Sequence, residues 1–328
     1  MVTNKNKLSR RDLLLGMAGA ATAAGRVTQQ IHGTPEDIKI SVISSIPMDL
    51  SVLVNSQQSG PKQQATIAAR LGGPAANAAP IFRANNISAC VIGAQACTLS
   101  GWVRQKASEL GLQSIVVDRP GEPALTIAIP NGHVGSFALF VQRVSPLMVH
   151  ELNGAPTAAI ASADLVIVGP MPANHPETFD VLGHVVQIAR DRYRALLPHP
   201  SLITSSQFRD VARRFNFLAV NRNEAALLDS STTDIEKHAL RMRHLLGEHS
   251  EFVITNSGAR GLLYAEGSWF VIDPPPVNVV SDIGAGDSWA TGYLIARQLF
   301  GAAPQAARDY ALHATASVIS AQPVPRYR

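Results

Sequence analysis

The sequence is poor in aromatic residues and in cysteine, and these shortages exclude several classes of protein. Aromatic residues make up 5% and charged residues 16% of the 328 residues. No lysine or arginine run interleaved with aromatics occurs in the body of the chain, which argues against nucleic-acid binding. The two cysteines, Cys90 and Cys97, have no partners at metal-ligand spacing, so we expect buried free thiols. The scattered histidines are expected at the surface or hydrogen-bonded.

The sequence also lacks the glycine pattern of dinucleotide-binding enzymes. The first predicted strand, Ile38–Ile43, is followed by Ser44-Ser45-Ile46-Pro47. A dinucleotide-binding oxidoreductase needs Gly-x-Gly-x-x-Gly at this point, because its backbone approaches a pyrophosphate there. The absence argues strongly against that class.

What the chain does contain is a glycine-rich turn that leads into a helix, Ser281-Asp282-Ile283-Gly284-Ala285-Gly286-Asp287. Unpaired backbone N–H groups at a helix start point outward and carry the positive end of the helix dipole, so this turn suits a phosphate. Asp287 falls on the first turn, close to such an anion. This arrangement favours phosphoryl transfer, whereas an ordinary helix with an acidic first turn is the structural alternative.

A second glycine cluster, Leu71-Gly72-Gly73-Pro74-Ala75-Ala76-Asn77-Ala78-Ala79, lies about two hundred residues earlier. Together the two clusters resemble the signatures of the PfkB (ribokinase-like) carbohydrate kinase family. Three further segments match that family in the right order, and they are Ile40–Ile43 with Met48-Asp49, Asn221-Arg222-Asn223-Glu224, and Val253–Gly261. The resemblance covers about Asp37 to Pro323.

The resemblance implies an α/β fold in which a mostly parallel central sheet carries helices on both faces. It also implies a small β lid, formed by segments near 46–66 and 123–144, that in some members is a homodimer surface. The alternation of apolar strands and helical segments agrees with this fold. Among the helices we predict one from Ile67 to Asn85, entered through Gly72-Gly73. A single kinase domain over 37–328 is expected.

The resemblance further assigns roles to individual residues. Asp287 matches the catalytic base, and Gly284, Ala285 and Gly286 match the anion hole that stabilises the transferring phosphoryl group. Positions that bind a sugar or nucleoside substrate are matched by Asp49, Gly72, Gly73 and Asn77. Positions at the nucleotide are matched by Asn221, Glu224, Asn256, Ser257, Gly258 and Gly261. The expected cofactors are ATP and Mg²⁺, with Glu224 holding the metal through water.

Several of these assignments have structural alternatives. Asn221 and Glu224 are also typical of a helix cap with a charged first turn, and Gly72-Gly73 of a tight turn into a helix. Ser281 stands where many family members have an aspartate, which leaves dependence on a monovalent cation open. The leading hypothesis is an ATP-dependent kinase that phosphorylates a hydroxyl of a sugar or nucleoside. The alternative is a ligand-binding or regulatory protein on the same fold that has lost turnover.

The N-terminal tail, residues 1–36, resembles a twin-arginine export signal. Lysines precede the pair Arg10-Arg11, and a weakly apolar stretch runs from Leu13 to Gly25. This stretch, about a dozen residues, is too short for a stable membrane anchor. A kinase outside the cytoplasm would lack its nucleotide donor, so the chemistry favours cytoplasmic action and the pattern alone favours export. A disordered extension on a cytoplasmic enzyme is the third interpretation.

Overall fold

The computed structural model describes residues 38–54, 65–130, 137–142, 147–247 and 250–327. The strands are β1 (Lys39–Ile43), β2 (Met48–Val54), β3 (Ala65–Leu71), β4 (Ser88–Ala96), β5 (Gln113–Arg119), β6 (Leu125–Pro130), β7 (Phe137–Gln142), β8 (Leu165–Val168), β9 (Tyr193–Leu196), β10 (Phe217–Asn221), β11 (Glu251–Thr255), β12 (Gly261–Ala265) and β13 (Ser268–Ile272). The α-helices are α1 (Pro74–Ala84), α2 (Cys97–Glu109), α3 (Ala155–Ser162), α4 (Thr178–Ile188), α5 (Pro200–Ile203), α6 (Phe208–Ala212), α7 (Arg222–Ala226), α8 (Ile235–Leu246), α9 (Ala285–Leu294) and α10 (Pro304–Ile319). A 3₁₀ turn spans Val149–Leu152, and a π-helical turn, Ile295–Leu299, continues α9.

The central sheet has the strand order β13-β12-β11-β10-β9-β8-β1-β4-β5. All neighbours from β11 to β5 pair in parallel, and β12 pairs antiparallel with both of its neighbours. The short strand β8 has the sequence Leu-Val-Ile-Val and is buried along its whole length. Such continuous apolar strands are typical of a parallel sheet that is covered on both faces. The prediction of an α/β fold with a mostly parallel sheet is confirmed.

The helices pack on the two faces of this sheet and create two cores. One core contains buried residues of α1, α9 and α10 against β1, β4 and β11. The other contains residues of α4, α6 and α8 against the opposite face of the same strands. Because strands β1, β4, β10 and β11 run in parallel, the loops that follow them meet at one edge of the sheet, where ligands bind in folds of this kind.

A second sheet of four strands, in the order β3-β2-β6-β7, stands where the sequence predicts the lid. Its described strands occupy residues 48–54, 65–71, 125–130 and 137–142, so the lid reaches five residues beyond 66. The predicted turn at Asn131-Gly132 lies outside the described residues.

The prediction of a helix from Ile67 to Asn85 is wrong in its first turns. Residues up to Leu71 belong to β3, which pairs antiparallel with β2, and the helix begins only at Pro74. Gly73, the residue before the helix, has a φ of 87°, a backbone conformation that favours glycine and that separates the strand from the helix. Pairing with a strand some twenty residues away outweighed the local preference of an alanine-rich segment for helix.

Two expectations about buried side chains also need correction. Cys90 is buried as expected, but Cys97 is exposed at the first position of α2. His238 is fully buried on α8, and neither ring nitrogen has a hydrogen-bond partner in the described part of the chain. It is therefore neither a surface histidine nor a hydrogen-bonded one.

Gln95, a residue that no sequence motif marks, connects the lid to the central sheet. Its side chain is fully buried in β4. The amide nitrogen donates to the carbonyls of Ile46 (2.9 Å) and Ala124 (3.3 Å). The amide oxygen accepts from the backbone N–H groups of Ala96 (2.7 Å) and Ala124 (2.8 Å). Since Ile46 and Ala124 lie just before β2 and β6, one side chain holds the chain at the start of two lid strands.

Among the described residues no helix is both long enough and apolar enough to cross a bilayer. The N-terminal tail with its paired arginines lies outside these residues.

Candidate active site

The glycine-rich turn predicted from sequence leads directly into α9. Gly284 is the N-cap residue, with a φ of 83°. A Cβ atom at this position would lie 2.3 Å from Cγ of Asn77, so both the backbone conformation and the space require glycine. The N–H of Ala285 donates to the carbonyl of Asp282 (3.1 Å). The first-turn amides of Gly286 and Asp287 have no acceptor within the helix and can receive an anion.

Asp287 projects from this first turn and is joined to the other glycine cluster. Nδ2 of Asn77 donates to Oδ2 of Asp287 over 2.8 Å, although 210 residues separate the two in sequence. Ser288 Oγ donates to the backbone carbonyl of Asn77 (3.1 Å), which ties α9 to α1 a second time. The two sequence motifs therefore form one site.

The surroundings of Asp287 raise its pKa to about 6. Removal of the carboxyl group from water is the main cause, the hydrogen bond from Asn77 opposes it, and the negative charge of Asp49 adds to it. A carboxylate with a pKa near 6 is ionised at neutral pH and is a better proton acceptor than an ordinary aspartate. This is the property expected of a general base.

The predicted substrate-binding residues gather beside Asp287. Asp49 lies within β2 and is 8% exposed. Its cross-strand neighbour Arg70 forms an ion pair with it (Nε to Oδ2, 3.7 Å). Burial raises the pKa of Asp49, while Arg70 and a hydrogen bond from Thr126 lower it. Arg70 and Thr126 are neighbours that the sequence did not reveal.

Gly72 and Gly73 are required by close packing. A Cβ atom on Gly72 would lie 2.3 Å from Oδ1 of Asp49, and one on Gly73 would lie 2.7 Å from the carbonyl oxygen of Ser45. Gly72 lets the backbone approach the buried carboxylate of Asp49 closely, and Gly73 is the cap residue of the turn into α1. Both interpretations of this motif, a tight turn and an acceptor-binding backbone, are compatible with the geometry.

Asn221 and Glu224 form a reciprocal cap at the start of α7. The Glu224 carboxylate accepts from the backbone N–H of Asn221 (2.8 Å), and the Asn221 side chain accepts from the N–H of Glu224 (2.9 Å). Burial raises the pKa of Glu224 to about 7, the hydrogen bond from Asn221 opposes this, and the charge of Asp287 adds to it. The cap predicted as an alternative is present, and the electrostatic link to Asp287 brings Glu224 into the site.

A cavity of about 590 Å³ opens at the N-terminus of α9. Of the residues predicted at the nucleotide, it is lined by Asn221, Asn256, Ser257, Gly258 and Gly261, together with Gly284, Ala285 and Gly286. Glu224 does not line it. We call this space the donor cavity, because the sequence resemblance predicts the phosphoryl donor beside these residues.

The donor cavity also has a wall that the sequence did not predict. It is formed by Trp289 from α9, by Leu312, Thr315, Ala316 and Ile319 from α10, and by Pro274, Pro275 and Val277 from the preceding loop. These residues carry no motif. Only the helical periodicity of α10, which buries Ala307, Ala311 and Ala314 against α9, could have indicated which face lines a cavity.

Solved structures with the same fold include several sugar kinases. Phosphofructokinase-2 from Escherichia coli in complex with substrates and products matches with a TM-score of 0.70 and 13% identity over 88% of this chain and 94% of that one. A putative ribokinase II from E. coli in complex with ATP and Mg²⁺ matches with 0.70 and 14%, over 88% and 96%. A pyrophosphate-dependent kinase of the ribokinase family in complex with sulfate matches with 0.67 and 12%, over 88% and 97%.

At these identities the structural matches establish the fold. Among curated proteins, none matches the chain significantly. Residues 37–322, however, match the family described as pfkB family carbohydrate kinase, which accounts for most of the chain. This chain belongs to the pfkB family of carbohydrate kinases.

Proposed function

We propose that this protein transfers the γ-phosphoryl group of ATP to a hydroxyl group of a sugar or nucleoside. The observation that carries the proposal is the position of Asp287. It lies on the first turn of α9 beside amides that can bind a phosphate, and it is hydrogen-bonded to Asn77 on the substrate side. A base between an anion site and a polyol site is the arrangement that phosphoryl transfer to an alcohol needs.

In the proposed reaction Asp287 accepts the proton of the substrate hydroxyl. The oxygen then forms a bond to the γ-phosphorus, the bond from that phosphorus to the β-phosphate oxygen breaks, and ADP leaves. The amides of Gly286 and Asp287 stabilise the charge on the transferring group, and Asp49 and the Gly72-Gly73 backbone orient the substrate hydroxyls. Typical gains are ~10²–10⁴-fold for general-base catalysis.

The residues present suit Mg²⁺ as the companion of ATP. Magnesium prefers oxygen ligands and keeps several waters, and the carboxylate of Glu224 and the amide oxygen of Asn221 are oxygen donors next to the donor cavity. When bound, the ion would neutralise charge on the phosphates. Burial and the negative charge of Asp287 raise the pKa of Glu224 to about 7, and a nearby cation would stabilise its ionised form.

The donor cavity supports a nucleotide over pyrophosphate as phosphoryl donor. Pyrophosphate needs only the backbone amides of the glycine-rich turn. The wall that Leu312, Ala316 and Ile319 form is apolar and offers a surface for a nucleobase. A pyrophosphate-dependent relative with the same fold makes this comparison necessary in the test.

The direct test is a panel of sugars and nucleosides with Mg-ATP, with release of ADP as the readout. We expect ADP release that depends on one acceptor and that Asp287→Asn lowers strongly. Mg-pyrophosphate with the same acceptors is the parallel donor test. Binding of nucleotide and acceptor without turnover of any member would favour the alternative, a ligand-binding protein that has lost catalysis.

We also propose a homodimer that forms through the lid sheet. Ile67 on β3 is 64% exposed and Val141 on β7 is 49% exposed, so both edge strands of the lid carry an exposed apolar side chain. Light scattering after gel filtration measures the mass directly. Ile67→Lys, which adds a charge at the exposed position, should shift a dimer towards monomer.

For location we propose cytoplasmic action, because ATP is available there, with export by the twin-arginine pathway as the alternative. A reporter fused after Gly25 distinguishes them. Export of the fusion, and its loss when Arg10 and Arg11 are both changed to Lys, would support the alternative. Retention of the unmutated fusion would make the tail an extension of a cytoplasmic enzyme.

A further inference from the structure

Three helices have one end at the candidate active site. Helix α1 carries Asn77 near its start, and α9 carries Asp287 in its first turn. Helix α10 runs the other way and ends at the site. The carbonyl of its last residue, Ile319, accepts hydrogen bonds from the N–H groups of Val280 (2.8 Å) and Ser281 (3.1 Å), just before the glycine-rich turn. The geometry of the site therefore depends on how these three helices are held.

Away from the site, one residue contacts all three helices. After α10 the chain turns and runs back along that helix as residues 323–327, which we call the C-terminal strap. The N–H of Tyr327 donates to Oδ1 of Asn85, the C-cap residue of α1 (2.9 Å). The Tyr327 ring stacks on Phe300, which ends the π-helical turn after α9, with 5.4 Å between centroids and 11° between planes. The same ring meets Tyr310 of α10 edge-on, at 5.2 Å and 87°.

Hydrogen bonds around Asn85 attach the strap to α1 and α10. Asn85 is fully buried, and its Nδ2 donates to the carbonyl of Ile81 (2.8 Å) and to the hydroxyl of Tyr310 (2.6 Å). The Tyr310 hydroxyl donates in turn to the carbonyl of Pro325 in the strap (3.2 Å). With the bond from Tyr327, both polar atoms of the Asn85 side chain have partners. A buried network that is satisfied in this way holds one arrangement rigidly.

The active-site contact that depends on this arrangement is the hydrogen bond from Asn77 to Asp287. At the site, α1 is tied to α9 by that bond and by the bond from Ser288 Oγ to the Asn77 carbonyl, both at one turn of each helix. Asn85 lies about 12 Å further along the axis of α1. The buried face of α1 between these points is rich in alanine, whose short side chains interdigitate little. The strap therefore supplies a second directional attachment, which fixes the tilt of the helix.

We propose that Tyr327 is a positioning residue, because the strap, by joining α1, α9 and α10 away from the site, holds the Asn77 amide against the Asp287 carboxylate. The strap touches neither group. It lies beyond residue 322, where the family match ends, so this support is additional to the matched region. The dependence of turnover on the strap rests on the proposed function, whereas the protonation of Asp287 can be measured without turnover.

The first test is an NMR titration of the full-length protein labelled with ¹³C at the aspartate carboxyl carbon, with Asp287→Asn to assign the signal. The hydrogen bond from Asn77 lowers the pKa of Asp287, so a displaced amide leaves a more basic carboxylate. We expect Tyr327→Ala to raise the proton affinity of Asp287 about 2- to 10-fold, the worth of one hydrogen bond. Asn77→Ala should have the same effect, and adding Tyr327→Ala to it should change nothing further.

Conservative variants separate positioning from stability. Tyr327→Phe keeps the ring and the backbone N–H, and the Tyr327 hydroxyl forms no hydrogen bond with the described residues, so this variant should titrate as wild type. Val324→Ala, a change at another half-buried residue of the strap, should lower the free energy of unfolding without moving the titration. If Tyr327→Ala does not fold, Tyr327→Leu, which keeps an apolar side chain, should shift the titration in the same direction.

The outcomes separate this inference from the proposed function. Folded Tyr327→Ala that is less stable but titrates as wild type would show that the strap only stabilises the fold, which refutes the positioning role. Shifts from Tyr327→Ala and Asn77→Ala that add in the double variant would place the effect outside the Asn77 bond and also refute it. If the titration moves as expected and no acceptor releases ADP from Mg-ATP, the positioning role stands and the kinase proposal falls.

Discussion

The raised pKa of Asp287 predicts that its ionised carboxylate lowers the free energy of unfolding of the protein. At neutral pH the folded protein holds an ionised carboxylate in a half-buried position near the charge of Asp49, whereas in the unfolded chain this carboxylate is in water. Asp287→Asn replaces the carboxylate with a neutral group of nearly the same shape. Nδ2 of Asn77 can still donate to the new amide oxygen. We therefore expect the variant to be more stable than wild type and much less active.

The magnitude follows from the pKa difference. The pKa of Asp287 rises from 3.8 to about 6, which corresponds to about 3 kcal/mol of unfavourable free energy for the ionised form. Solvent screening makes this an upper limit, because the side chain is not fully buried. The expected gain in unfolding free energy for Asp287→Asn at pH 8 is therefore about 2–3 kcal/mol.

The pH dependence has a definite sign. A raised native pKa means that this group favours the folded state at low pH, and that this contribution is lost as pH rises through about 6. Wild type therefore regains stability as the solution is acidified, whereas the neutral variant has nothing to regain at this position. At pH 5 the advantage of Asp287→Asn should be smaller than at pH 8 by about 1.4 kcal/mol.

Urea unfolding at pH 8 and at pH 5, followed by circular dichroism, measures both quantities. Asp282→Asn, the same change at an exposed carboxylate in the preceding turn, is the matched control. In parallel, kcat should fall by ~10²–10⁴-fold while nucleotide and acceptor still bind. An Asp287→Asn protein that is no more stable than wild type, or equally stabilised at both pH values, would refute the electrostatic reasoning. Near-normal kcat would remove Asp287 from the role of base.

Four further results are expected. The kcat/KM of wild type should fall about tenfold per pH unit below about pH 6, because protonated Asp287 cannot accept the hydroxyl proton; a flat profile down to pH 5 would contradict this. Gly284→Ala should lower kcat by at least ~100-fold, because the added methyl group would collide with the side-chain amide of Asn77. Gly301→Ala introduces similar backbone strain in open space and should leave kcat unchanged. Equal effects of the two changes would show that backbone strain alone lowers activity. Gln95→Met should lower the unfolding free energy by about 2 kcal/mol or more in urea melts and raise the acceptor KM, since it leaves four buried backbone contacts unmade; unchanged stability would exclude its role at the lid. Potassium should stimulate turnover little over an ionic-strength-matched control, because Ser281 removes one formal charge from the expected cation site; saturable several-fold activation would count against this.

Much of the donor side was predictable because its determinants are local in sequence. A helix start with glycine at the cap exposes its own amides, so Gly284 to Asp287 predict an anion site within a single short turn. The cap made by Asn221 and Glu224 is also local, since both hydrogen bonds close within three residues. The parallel arrangement of the strands followed from the alternation of apolar strands and helices, a pattern that needs no knowledge of which residues touch.

Other features depended on contacts between distant segments. The strand at 67–71 was mistaken for helix, because only its pairing with β2 stabilises an extended alanine-rich segment. Asp49 follows the first predicted strand by a few residues in sequence, yet it lies inside a second strand, β2, with Arg70 opposite. The hydrogen bonds of the Gln95 side chain join β4 to the segments at Ile46 and Ala124, and no local sequence pattern indicates them.

The sequence by itself determined the family, the fold class and the turn that can hold a phosphate, because each motif and each apolar period can be recognised within a short segment without knowing which segments touch. Only the tertiary structure decided the chemistry of the site. It brought Asn77 within 2.8 Å of Asp287 across 210 residues, and it set the charge of Asp49 near the same carboxylate. It also placed Trp289 and Thr315 in the wall of one cavity. The pKa of a side chain and the lining of a cavity depend on burial and on neighbouring residues, and those are properties of the packed chain.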